Sequence, residues 1–358
     1  MRNRKYRVIV NGEKSEEQDV KSGVPQGTVL AAILFLIMIG DIDKDIISCI
    51  VSCFADDTRN SKQIRTEKDK KAMQDDLNRI YQWAERNVMK FNEKKFEQMS
   101  WGKIEDIEIE AYKTPSGEDI KIKDKVKDLG VLTSADLKFR EHMNEVITSC
   151  KIKQGNILRN FETRKREPMM NLYKSHMMSK AEYCCVVWSP SHKKDISRIE
   201  RIQKGYTKRI EGMEGKNYHQ RLKCLNLYSM ERRRERYMII NAWQQLEDPE
   251  KNLLGFETNE RARHRTIKDT RIKWNKKSKN STLIYNCPAR KMMRLFNAIP
   301  GEIRDIKGEK TEYFKRELDR WLKGVPDEPE IDESRARTSS NSIVHQASQA
   351  ERRRWKKY

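Results

Sequence analysis

Two adjacent carboxylates, Asp56 and Asp57, close the run Ile46-Ile47-Ser48-Cys49-Ile50-Val51-Ser52-Cys53-Phe54-Ala55. An ionised carboxylate only accepts, and its hard oxygens suit Mg²⁺, which usually sits between protein acids and a substrate phosphate. A pair of this kind points to metal-assisted chemistry on a phosphate ester. The plainer reading is a solvated turn in a highly charged chain. The β-branched residues before the pair predict a strand, then a tight turn with the acids at its tip, the first arm of a hairpin.

Such a turn needs elements to hold it. Gln26 stands thirty residues before Asp56, within Ser22-Gly23-Val24-Pro25-Gln26-Gly27-Thr28-Val29-Leu30. Two glycines and a proline in five positions impose a particular backbone path. Ala31-Ala32-Ile33-Leu34-Phe35-Leu36-Ile37-Met38-Ile39 then predicts an apolar helix. After the acids, the stretch beginning at Asp76 predicts a helix with Leu77, Ile80, Tyr81 and Ala84 on one face.

The order turn, buried helix, strand, Asp-Asp resembles the palm of reverse transcriptases, specifically those of non-LTR (LINE, jockey-like) retrotransposons. The resemblance rests on Ser22–Leu30 and on Phe54-Ala55-Asp56-Asp57. It continues through Met89-Lys90-Phe91-Asn92-Glu93-Lys94-Lys95, through Val126-Lys127-Asp128-Leu129-Gly130-Val131-Leu132, and through Asp136-Leu137-Lys138-Phe139-Arg140-Glu141-His142-Met143. Weaker likeness reaches about residue 330. By resemblance Asp56 is the primary metal ligand and Asp57 the accessory one, both toward Mg²⁺. Pro25, Gln26, Gly27, Phe54 and Ala55 would shape the nucleotide and template pocket. Lys95 would neutralise charge on the departing pyrophosphate, or stay solvated like Lys90 and Lys94 beside it. Leu129 and Gly130 would form the primer grip, or simply a hairpin. The chain departs from the family at Ala31-Ala32, where Gly-Pro is usual, and at Gly40, where Asn is usual; those changes suggest drift.

The resemblance also implies an earlier palm strand carrying a further Asp. The acids before Ser22 are Glu13, Glu16, Glu17 and Asp19, and Asp19 is too close to the turn to serve. The expectation is a fragment that begins inside the palm, lacks the fingers and is inactive alone.

The 358 residues carry 75 Lys+Arg against 54 Asp+Glu, a formal +21, which favours polyanionic partners. No stretch reaches the roughly 18 apolar residues of a membrane span, and no signal peptide is evident. Seven cysteines without a C-x-x-C exclude a secreted disulfide framework and a zinc site. They read as reduced, mostly buried thiols of an intracellular protein of the cytoplasm or nucleus, not a secreted one.

The fold class expected is α+β: an incomplete reverse-transcriptase palm, then a mostly helical thumb and a basic helical extension. The expected divisions are 1–115 partial palm, 116–185 primer grip and thumb, 186–325 extension, and 326–358 a disordered tail rich in Pro, Ser and charge. Residues 201–240 hold eleven Lys/Arg against four acids, with Trp188, Tyr206 and Tyr237 in or near them. Residues 261–279 hold nine against one and include Arg261, Arg263, Arg265, Lys273, Lys276, Lys277 and Trp274. Aromatics among cations can stack bases while the cations hold phosphates; for the first cluster a solvated helix face with core aromatics stays open, and for the second backbone contact is favoured.

The function expected is part of an RNA-directed DNA polymerase, binding an RNA/DNA template-primer and, when intact, deoxynucleoside triphosphates. The alternatives are a non-catalytic nucleic-acid-binding remnant and an RNA-binding protein resembling group II intron maturases.

Overall fold

A computed structural model describes residues 4–20, 23–24, 27–102, 110–259, 269–272, 286–329 and 341–347. The chain divides into two compact units, Met1–Val126 and Lys127–Tyr358.

The first unit opens with two antiparallel pairs, β1 (Arg4–Tyr6) with β4 (Gln18–Val20) and β2 (Ile9–Val10) with β3 (Glu13–Lys14). Asn11 and Gly12 make the inner turn, both at positive φ, as the Asn-Gly pair favours. Helix α1 (Val29–Ile39) starts where the Thr28 hydroxyl accepts from the Ala31 amide. All eleven of its residues are apolar, yet only Ala31 and Ile39 are buried. Hairpin β5 (Ile50–Phe54) and β6 (Asp57–Ser61) follows. Helix α2 (Glu67–Arg86) is set by a capping box between Thr66 and Asp69. Its apolar stripe, Ile80, Trp83 and Ala84, packs with Ile39 and Ile42 into the small core of this unit. Short parallel strands β7 (Glu97–Gln98) and β8 (Lys121–Ile122) complete it.

The second unit is helical around two cores. Hairpin β9 (Lys125–Asp128) and β10 (Val131–Ser134) leads into α3 (Arg140–Asn160). Helix α4 (Arg166–Leu172) widens into a π turn (Tyr173–Met178) and ends as α5 (Ser179–Glu182), followed by α6 (Cys185–Trp188), α7 (Lys193–Thr207), α8 (Tyr218–Leu225) and α9 (Met230–Glu247). Met143, Val146, Cys150, Tyr173, Met177, Trp188, Ile199 and Tyr206 form the first core. Ser229 caps α9 by accepting from the Arg232 amide, as its residue type predicts. The second core joins α9 to α10 (Pro288–Ala298) and α12 (Thr311–Leu322), with Trp243 stacked on Phe314 at 4.6 Å; the short α11 (Gly301–Arg304) lies between them in sequence.

Three expectations need correction. An antiparallel pair, β11 (Thr258–Asn259) with β12 (Asp269–Ile272), interrupts the helical run. Part of the tail expected to lack structure is folded. Residues 343–347 form a helical turn, Ile343 is fully buried, and the buried Glu235 carboxylate takes the Ile343 amide at 2.7 Å and the Ser342 hydroxyl at 2.6 Å. One apolar side chain in a core and one capped turn outweigh a polar composition. The cysteines are not mostly buried either: Cys53, Cys184 and Cys224 are exposed, while Cys150 and Cys185 are buried. Among the described residues no helix is long and apolar enough to cross a membrane.

Candidate functional site: a two-carboxylate turn and its supports

Strand β5 pairs with β6 from Ile50↔Ser61 to Phe54↔Asp57, so Ala55 and Asp56 form a two-residue turn. Ala55 has φ 53, whereas Asp56 and Asp57 keep negative φ. Positive φ at the first central residue alone marks a II′ turn, which ordinarily carries Gly there. An alanine in this place stores strain at the tip, next to both acids. Phe54, Ala55, Asp56 and Asp57 are all exposed. Neither carboxylate makes a hydrogen bond or ion pair with a described residue, so both keep their lone pairs for something else.

The hairpin is held from behind by a residue that sequence reasoning passed over. Asp76 is 1 % exposed. Its carboxylate accepts the amides of Ile47, Ser48 and Cys49 at 3.1, 2.8 and 2.9 Å and the Ser48 hydroxyl at 2.7 Å, and it pairs with Arg79. Burial alone would push its pKa up. The Ser48 hydroxyl and the backbone amides outweigh that and hold the carboxyl well below the usual carboxylate range. Burial and this neighbouring carboxylate push the Cys49 thiol up to about 11, so it stays neutral. Two further bonds fix the same connection: Trp83 Nε1 donates to Asp41 at 2.9 Å and Arg86 pairs with Asp45 at 2.6 Å. Thus α2 aims β5. A signal for this was present, because Asp76 stands four residues before Ile80 and seven before Trp83, an acid on an apolar stripe.

The other expected site residues are scattered or undescribed. Gly27 sits at φ 84, a left-handed conformation that explains glycine just ahead of the α1 cap. Pro25 and Gln26 lie outside the described residues. Lys95 is exposed at the end of a 3₁₀ turn (Glu93–Lys95) and pairs with neither Asp56 nor Asp57. Beneath that turn Tyr81, Phe91 and Phe96 form an aromatic trio. Leu129 and Gly130, at φ 44 and φ 81, make the β9–β10 turn of the second unit.

The first basic cluster is partly structural. Arg232 and Arg234 are buried, Arg233 pairs with Glu182, and Arg236 pairs with Asp319. Trp188 and Tyr206 are interior, so they stack no bases. Arg201, Lys204, Lys208, Arg209 and Lys223 remain exposed. Arg261, Arg263, Arg265, Lys273, Trp274, Lys276 and Lys277 lie outside the described residues.

Adjacent exposed carboxylates offer hard oxygen donors, which fit Mg²⁺ and leave room for its waters and a substrate phosphate. Among the described residues no group of three or more His, Cys, Asp or Glu could enclose a metal. Among the described residues the donor set is thus one-sided.

Residues 2–133 match the family model for reverse transcriptase (RNA-dependent DNA polymerase). The chain is 26% identical over 223 residues to a probable RNA-directed DNA polymerase from transposon X-element of Drosophila melanogaster, covering 59% of this chain and 24% of that protein. It is 24% identical over 226 residues to the RNA-directed DNA polymerase from mobile element jockey of the same organism, covering 58% of this chain and 24% of that protein. The matches thus span about a quarter of each relative's length. No solved structure matches.

Proposed function

From its kinship with the reverse transcriptases of non-LTR retrotransposons, we propose that this chain carries the metal-binding turn and the template-primer grip of an RNA-directed DNA polymerase. The observation that carries the reading is the pair of unpartnered carboxylates at the tip of a hairpin braced by Asp76. Asp56 and Asp57 would hold Mg²⁺, which supplies positive charge where a phosphoryl group is transferred. In the reaction, the primer 3′ oxygen attacks the α-phosphorus of a deoxynucleoside triphosphate and pyrophosphate departs. Gln26, Gly27, Phe54 and Ala55 would shape the nucleotide pocket, with Pro25 fixing the path of that turn. Lys95 would offset pyrophosphate charge, and Leu129 and Gly130 would position the primer end. Arg261, Arg263, Arg265, Lys273, Lys276 and Lys277 would follow the nucleic-acid backbone. Its setting would be intracellular, in cytoplasm or nucleus.

The 358-residue polypeptide by itself is proposed to be inactive in primer extension. A two-metal site needs carboxylates on both sides of the ions, and Asp56 and Asp57 come from one turn. A non-catalytic nucleic-acid binder is the second reading, favoured by the same one-sided donor set. Primer extension and Mg²⁺-dependent nucleotide binding separate the cases. The polymerase reading expects weak nucleotide binding that requires Mg²⁺ and disappears in Asp56→Asn. It also expects extension once a segment of a related element supplies a carboxylate from the other side of the ions. Extension by the unmodified chain, abolished by Asp56→Asn, would overturn the inactivity. Binding of RNA/DNA hybrid with no Mg²⁺-dependent nucleotide binding favours the second reading.

A further inference from the structure

The Leu129–Gly130 turn is locked to the helical body by a closed circuit of contacts. The Tyr183 hydroxyl donates to the Leu129 carbonyl at 2.7 Å. The Tyr183 carbonyl in turn accepts from Trp188 Nε1 at 2.7 Å. The Trp188 ring meets the His142 ring edge to face, 5.3 Å between centroids. His142 Nδ1 then accepts the Leu132 amide at 3.2 Å, returning to β10 three residues after Leu129. Trp188 is 1 % and His142 2 % exposed, so the far side of the circuit is anchored in the core.

We propose that Tyr183 is a positioning residue for the primer 3′ end, acting through the Leu129–Gly130 turn. The inference rests on the reading of that turn as a primer grip.

The backbone explains why the turn needs a clasp. Positive φ at both central residues marks a I′ turn, the type that Asn-Gly makes unaided. Leucine in the left-handed region is strained, because its Cβ crowds the following carbonyl oxygen. Gly130 meets the conformational demand at its own position, and a Cβ there would find the Tyr183 ring at an ordinary 3.5 Å. The strain therefore lies in Leu129, and the Tyr183 hydroxyl bonds to the carbonyl of that same residue. Tyr183 itself sits at the corner between α5 and α6, where Cys184 takes φ 49. Tyr183 and Leu129 are 49 % and 41 % exposed, so the clasp lies at a surface a duplex can reach.

The test uses the whole chain with a DNA primer annealed to an RNA template, 5-iododeoxyuridine standing at the primer 3′ terminus. In the parent chain, ultraviolet cross-linking is expected to label the peptide containing Leu129 and Gly130. Tyr183→Phe should keep duplex affinity within about twofold yet cut that label about fivefold, the effect of one neutral hydrogen bond. Amide exchange at Gly130 and Val131 should quicken by a similar factor. Tyr173→Phe removes a buried hydroxyl that bonds Gln203 in the same unit, and it should leave the label unchanged. Full labelling and unchanged exchange in Tyr183→Phe overturn the positioning role while sparing the primer-grip reading. Labelling of the parent chain elsewhere, or no duplex binding, removes that reading and this inference together.

Discussion

Asp76 accepts both the amide and the hydroxyl of Ser48, at 2.8 and 2.7 Å, and so ties the middle of α2 to the chain entering the Asp56–Asp57 hairpin. The aim of the two acids thus depends on a third that is itself buried.

Replacing Asp76 should therefore act at a distance. Asp76→Ala strips the acceptor from three partly buried amide bonds and is expected to cost about 3 kcal/mol of first-unit stability, at roughly 1 kcal/mol for each net hydrogen bond lost. Asp76→Asn should cost less, because one carbonyl oxygen still accepts. Hydrogen exchange at Ser48 and Cys49 in the whole chain reads the effect. The native carboxyl is held below its unfolded value, so its contribution is present above the ordinary carboxylate range and lost in stronger acid.

Ala55→Gly should relieve the turn. Glycine removes the left-handed penalty but gains freedom in the unfolded chain, so the net gain is about 1 kcal/mol or less. Ala55→Val should destabilise by more than that. Denaturant unfolding of the three chains orders them, and a valine variant as stable as the parent would show that the tip carries no strain.

His142 predicts a pH response in the second unit. Burial pushes its imidazole below the ordinary value; Glu145 opposes this, while Lys180 and Lys127 add to it. Its Nδ1 must be unprotonated to accept the Leu132 amide. The unfolded chain thus binds the proton more readily. Stability is full above about pH 6.5, the unfolded value, and falls as pH drops through the lower folded value. The protection of the Leu132 amide, taken relative to its intrinsic exchange rate at each pH, should fall in the parent chain between about pH 7.5 and 5, and His142→Gln should flatten that fall.

Nucleic-acid binding should be steeply salt-dependent. With about six phosphates contacted, affinity for RNA or DNA is expected to drop roughly a thousandfold between 50 and 200 mM salt. Joint replacement of Arg261, Arg263, Arg265, Lys273, Lys276 and Lys277 should shallow the slope. An unchanged slope would move the contacts to exposed cations such as Lys204 and Lys208.

Local patterns made much of the first unit legible. Asn11-Gly12, the β5–β6 hairpin and the apolar stripe of α2 all follow from neighbours within a few residues, as does the Ser229 cap type in the second unit. What stayed hidden depends on distant partners. Leu129 meets Tyr183 across 54 residues, Ser48 meets Asp76 across 28, and Glu235 meets Ile343 across 108. Residue type suggests that each needs a partner, but only the fold names it. The aromatics near the first basic cluster stayed open between stacking and core for the same reason, since the interior partners of Trp188 and Tyr206 are ones that periodicity could not identify.

Helix α1 has a practical consequence. Val29, Leu30, Ile33, Leu36 and Ile37 stand 49–80 % exposed along it, an oily ridge facing water. Attraction between such ridges weakens on cooling, because apolar hydration carries a large heat capacity. Preparations should therefore turn cloudy on warming and clear again on ice, unless the clumped chains have also unfolded. Light scattering through one slow temperature cycle would record it, and Leu36→Glu with Ile37→Lys should remove it.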